Sequence, residues 1–231
     1  MAAIRIGMLL FPDLTQLDLT GPFEVFARTP GAEVRLLWKR AGPVAADTGL
    51  RILADTALAD CPPLDVLCVP GGPGVNAVME DAEILAFLRE RGPRVRYLTS
   101  VCTGSLALGA AGLLRGRRAT SHWSARDLLA QLGVIPTEGR VVRDGNVITG
   151  GGVTAGIDLA LTVVAELLGP EAAQAIQLGI EYAPAPPFDA GTPDRAPPDV
   201  LARARQAGAA RRGAREALVA RVAERLVGAA G

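Results

Sequence analysis

The chain reads as an α/β protein in which a mostly parallel sheet carries helices on both faces, with one more helix at the C-terminal end. Three observations predict this. Short apolar runs rich in branched residues recur along the chain, segments of helical spacing separate them, and 231 residues suffice for one doubly wound domain without a second core. Residues 1–198 are expected to form that domain and residues 199–231 a helical extension of it.

The expected elements run in order. Residues 5–11 read as a first buried strand, and FPDLTQLDLTG (11–21) as the loop after it. Residues 34–39, 65–70 and 94–101 supply three more strands. Between them, residues 77–91 place Val78, Ile84, Leu85 and Leu88 at helical intervals with charges between, which predicts an amphipathic helix. A helix begins again near Gly104. In 140–148, Asp144-Gly145-Asn146 separates VVR from VIT, the pattern of a hairpin turn. Helices resume over 154–168 and 171–182. The run APAPPFDAGTPDRAPP (183–198) is too rich in Pro and Gly for regular structure and reads as a surface strap. Residues 199–227 read as a terminal helix interrupted near Gly208 and Gly213.

Composition narrows the function classes. With 24 basic and 24 acidic side chains the net charge is zero, so no global field draws nucleic acid or an anionic membrane. The Arg-rich tail is read as a solvated helix face against a neighbouring subunit rather than a nucleic-acid patch. Residues 153–168 are too short for a membrane span and include Asp158 and Glu166. No leader cleavage pattern follows the first apolar run. A single histidine, His122, excludes a two-histidine site, and three cysteines without metal spacing argue against disulfides or structural zinc. These features fit a cytoplasmic protein acting on a small neutral partner.

The chemistry concentrates at RVRYLTSVCTGSLALGAAGLL (94–114). Cys102 falls in the turn from strand to helix, with small residues after it. That is the geometry of a nucleophile elbow at the carboxyl end of a parallel strand, where the first helical turn favours a thiolate. Cys68, inside a strand, and Cys61, in a loop, read as inert. PGGPG (70–74) lets backbone N–H groups approach a developing charge, and it lacks the residues of a nucleotide loop. Asp18, flanked by Leu17 and Leu19, has two compatible readings: a site carboxylate, or the cap of a helix starting at Thr20-Gly21-Pro22.

FPDLTQLDLTGPFEVF, VPGGPG, TSVCTGSLALGAAGLL, RATSHW and TGGGVTAGIDLAL together resemble the PfpI-like, amidotransferase-like superfamily over residues 4–190. SVCTGS with Asp18, and EYAPAPPFDAGTPD, look most like its isocyanide hydratases, since much of the superfamily has Glu at the position of Asp18. The resemblance implies a flavodoxin-like sandwich and a homodimer. It also implies hydration of an isocyanide to an N-formamide through a Cys102 thioimidate, without metal or organic cofactor. Asp18 would be a protonated acid beside Cys102, Thr103 would turn its N–H and hydroxyl to the site, and Gly72 would add a second N–H. Val153 would support the site, and Trp123 is read as core. His122 is either a partner of the cysteine, as in other superfamily members, or structural. Glyoxalase-like or deglycase-like chemistry, and the sensing domain of an AraC-type regulator, are the competing readings.

Overall fold

The structure is a computed structural model that describes residues 3–228. Strand β1 (Ile4–Leu9) opens the chain. Helix α1 (Gln16–Phe26) follows, then β2 (Ala32–Trp38), a hairpin of β3 (Gly42–Ala45) and β4 (Arg51–Ala54), and the short β5 (Thr56–Ala57). Next come β6 (Val66–Val69), α2 (Val75–Val78), α3 (Ala82–Arg91), β7 (Tyr97–Val101) and α4 (Gly104–Ala110). A two-residue pair, β8 (Arg118–Ala119) and β9 (Ile135–Pro136), brackets a 3-10 segment at Arg126–Leu132. The chain then forms β10 (Val141–Asp144), β11 (Val147–Gly150), α5 (Ala155–Leu168), α6 (Pro170–Gly179) and α7 (Pro198–Gly228).

Seven strands make the main sheet in the order β10-β11-β7-β6-β1-β2-β5, parallel except for the β10–β11 hairpin. Strands β6, β7 and β11 are buried at every residue, which explains why they read as unbroken apolar runs. Helix α5 packs on α1 and on α6, while α4 packs on α2, α3 and α7. Gly145, with φ of 61°, makes the β10–β11 turn where the sequence predicts it.

Four expectations change. The helix foreseen over 77–91 is two helices, because the Asp81 carboxylate accepts from the N–H groups of Glu83 and Ile84 and starts α3 afresh. Helix α1 starts at Gln16 rather than Thr20, with Pro22 inside it. That proline packs against Gly156 of α5, where an added Cβ would lie 2.7 Å from its ring. Helix α7 runs unbroken for 31 residues through Gly208 and Gly213. Its good helix formers outweigh two glycines that cost ~1 kcal/mol each, and Leu218, Val219 and Val222 anchor it in the core. Finally, the β3–β4 hairpin was not foreseen; its Ala45 carbonyl accepts from Asp13 N–H and braces the loop before α1.

Candidate active site

The turn between β7 and α4 holds Cys102 in the left-handed region, with φ of 55°. A non-glycine residue stays there only when its surroundings over-determine it. Here the Cys102 N–H donates to the Gly150 carbonyl at 2.9 Å. Its own carbonyl accepts from Ser105 Oγ at 3.1 Å and Ser121 Oγ at 3.0 Å. Gly104 completes the elbow: an added Cβ there would collide with the Val69 and Pro70 carbonyls. The strand-to-helix turn read from the sequence is therefore present, fixed from β6, β11 and the Ser121 loop.

Asp18, in the first turn of α1, is fully buried. Its Oδ2 accepts from the Gly71 N–H at 2.9 Å, while Oδ1 has no hydrogen-bond partner among the described residues. Gly71 is wedged between two walls, since a Cβ would sit 2.7 Å from Asp18 Oδ2 and 2.5 Å from the Thr103 nitrogen. The PGGPG loop thus lets backbone pass where no side chain fits. Asp18 does not cap α1, because it lies inside the helix and its side chain bonds across to the β6 loop.

Burial raises the Asp18 carboxyl to about 7, with Asp47 adding to the rise, against the lowering effect of the Gly71 N–H and the Cys102 thiol. Burial, and then the charge of Asp18, push the Cys102 thiol far above its ordinary range, against the Thr103 N–H and hydroxyl, which lower it. Both effects act against the thiolate that the helix end is expected to favour: desolvation beside a carboxylate opposes the dipole of the seven-residue α4.

Thr103, the residue after Cys102, is the source of both lowering effects. Its Oγ1 also accepts from the Gly72 N–H at 3.0 Å and lies 3.3 Å from the Gly72 carbonyl. The Gly72 N–H is therefore engaged with Thr103 rather than free for a developing charge. Val153 lies in the cavity wall just ahead of α5. His122 lines the cavity too, but its Nδ1 accepts from the Ser124 N–H at 3.3 Å and lies 2.8 Å from Ser124 Oγ. Burial, and then Arg215, lower its pKa, which favours the neutral imidazole at physiological pH, and its ring hydrogen bonds among the described residues go to Ser124. Trp123 is cavity wall rather than core, its ring centroid 5.4 Å from that of His122. Cys68 and Cys61 are buried free thiols, as read.

The cavity has a volume of about 840 Å³ and extends from Cys102 to helix α7. That helix contributes the residues the sequence reading missed. The Arg212 guanidinium bonds both Asp127 oxygens at 2.7 Å and the Ser124 carbonyl at 2.7 Å. Arg215 is 6% exposed and donates from Nε to Asn76 Oδ1 at 2.8 Å and from Nη2 to the Gly72 carbonyl at 3.1 Å. No local signal separates these two from the other arginines of an Ala/Arg-rich helix. Among the described residues, no three His, Cys, Asp or Glu side chains gather as metal ligands would. No described helix is long and apolar enough to cross a membrane.

A parallel sheet with a strained cysteine at the carboxyl end of a central strand, backed by a buried carboxyl, defines a cysteine-elbow α/β protein with the flavodoxin-like fold. Residues 4–166 match the DJ-1/PfpI family, and the chain belongs to it. It is 58% identical to the isonitrile hydratase of Pseudomonas putida, over 90% of this chain and 91% of that one. A solved ThiJ/PfpI family protein from Pseudomonas syringae is 48% identical, with a TM-score of 0.92 over 95% of this chain and 91% of that one. A glutathione-independent glyoxalase of Caenorhabditis elegans is 29% identical over 74% of this chain and 93% of that one.

Proposed function

We propose that this protein is an isocyanide hydratase, adding water to R–NC to give R–NH–CHO, with Cys102 as nucleophile and Asp18 as proton carrier. The observation that carries the reading is the buried Asp18 carboxyl, raised to about 7 beside the Cys102 thiol, with Oδ1 unpartnered among the described residues. The 58% identity to an isonitrile hydratase supports it.

The thiol arrives protonated, so the first step moves that proton. Asp18 takes it from Sγ as sulfur adds to the terminal isocyanide carbon, and delivers it to the same carbon, giving the thioimidate R–N=CH–S–Cys102. A carboxyl with a pKa near neutrality suits both halves of this transfer. Asp18, again a carboxylate, then takes a proton from water as the oxygen adds to that carbon, and returns it to nitrogen. Collapse of the resulting R–NH–CH(OH)–S–Cys102 forms the formyl C=O and breaks the C–S bond, and the hydroxyl proton returns to sulfur. Thr103, whose N–H and hydroxyl favour the charged form of Cys102, stabilises sulfur as it leaves. Val153 bounds the cavity beside the reacting carbon, and Gly72 acts through Thr103. The neutral imidazole of His122, tied to Ser124, takes no proton in this scheme. A homodimer belongs to the same reading.

Formamide formation from a simple aryl isocyanide tests it, with wild type, Cys102→Ala and Asp18→Asn run in parallel. Wild-type turnover that drops more than about 1,000-fold in both variants is expected. No turnover by folded wild type would move the assignment to glyoxalase-like chemistry.

A further inference from the structure

Arg215 is a buried cation without a buried anion. Its acceptors, Asn76 Oδ1 and the Gly72 carbonyl, are neutral, and Nη1 donates to nothing among the described residues. Arg212, three residues earlier, is by contrast neutralised by Asp127 and Glu216. Burial, and after it the charges of Arg211 and Arg212, act against the Arg215 cation. Burying a guanidinium in this way is costly unless a negative group meets it. Arg215 and Arg211 both line the cavity that contains Cys102, one turn apart on α7, the first buried and the second exposed.

We propose that Arg215 is a specificity-determining residue that receives a carboxylate carried on the R group of the isocyanide, so that the preferred substrates are isocyano carboxylates. This rests on the hydratase reading. An isocyanide is linear at nitrogen, so a carbon held at Cys102 Sγ projects R away from sulfur into the cavity. A carboxylate on R meets the free Nη1 edge of Arg215 there. Arg211 at the mouth supplies a second positive charge that draws the anion inward. Asp127 and Glu216, which would repel it, are occupied by Arg212. Asp47, also in the wall, accepts from Thr15 Oγ1 at 2.9 Å.

The test compares kcat/KM for 4-isocyanobenzoate and its methyl ester in wild type, Arg215→Gln and Arg215→Lys. The acid-to-ester ratio in the variant divided by that in wild type cancels the intrinsic difference between the two isocyanides. Loss of a charge-assisted hydrogen bond is expected to lower this ratio by about 10- to 100-fold in Arg215→Gln, with partial retention in Arg215→Lys. Added salt should slow the acid and not the ester. Equal slowing of both substrates, with the ratio unchanged within about twofold, would overturn the proposal and leave Arg215 as a brace for Gly72. Rejection of the acid by a wild type that hydrates the ester would overturn it as well. Turnover of neither substrate by folded wild type overturns it together with the hydratase reading. Should Arg215→Gln not fold, Arg211→Glu decides: the ratio falls, or the proposal does.

Discussion

Cys102 and Arg215 face one cavity, and they are held in different ways. The cysteine is fixed by backbone: a left-handed φ, an N–H donated to Gly150, a carbonyl gripped by two hydroxyls, and glycines at 71 and 104 where a Cβ cannot fit. The arginine is fixed by side chains on a long helix, through Asn76, one carbonyl and the neighbouring Arg212–Asp127 pair. The first wall tolerates little displacement, as the proposed covalent step would demand. The second can be altered one side chain at a time.

The comparison predicts a graded series of effects, and the largest lies in the first wall. Asp18 holds its proton up to about 7 in the folded chain, against 3.8 as the ordinary value. The folded state therefore binds more protons than the unfolded one between those pH values, and wild type loses stability as pH rises through that window. Asp18→Asn should be more stable than wild type at pH 8, by up to roughly 4 kcal/mol. The gain should shrink toward zero near pH 4, read as the difference in Tm between the two proteins. An Asp18→Asn variant less stable than wild type at pH 8 would mean that the carboxyl is not desolvated.

Gly104→Ala comes next. The Val69 and Pro70 carbonyls must shift to admit its Cβ, so a loss of about 1–3 kcal/mol in urea unfolding, with misalignment of Cys102, is expected. If Gly104→Ala keeps wild-type stability and activity, the elbow is softer than the backbone contacts indicate. In the second wall, Arg212→Ala removes a two-pronged contact to Asp127, which keeps that carboxyl below its usual range, and should cost ~1 kcal/mol while raising KM more than it lowers kcat. Smallest is Gly213→Ala. Beyond its own helix backbone and chain neighbours nothing lies within 4 Å of the Cβ position, so removing a helical glycine should stabilise the chain by about 0.5 kcal/mol.

How much of this was legible depends on whether a feature is local. The elbow was, because a branched apolar run ending at Val101 and small residues from Gly104 imply a sharp turn at Cys102. Asp18 stood out between two leucines. Its helix was misplaced because Pro22 reads as a helix start, whereas here it sits within α1 and packs on Gly156 of α5. The break at Asp81 has a local signal, a capping carboxylate, set within a run whose apolar spacing continues through it. Gly208 and Gly213 misled in the opposite direction, since tertiary anchoring through Leu218, Val219 and Val222 overrides local propensity. The role of Arg215 was not legible at all, because it depends on the register in which a distant helix docks against the PGGPG loop.

The strap over residues 183–197, without regular structure, separates α7 from the rest of the fold. The helix that carries Arg212 and Arg215 therefore reaches the cavity as a separate stretch of chain from the strand and turn that carry Cys102, and a substitution on its inner face alters the cavity wall without touching the backbone of the elbow.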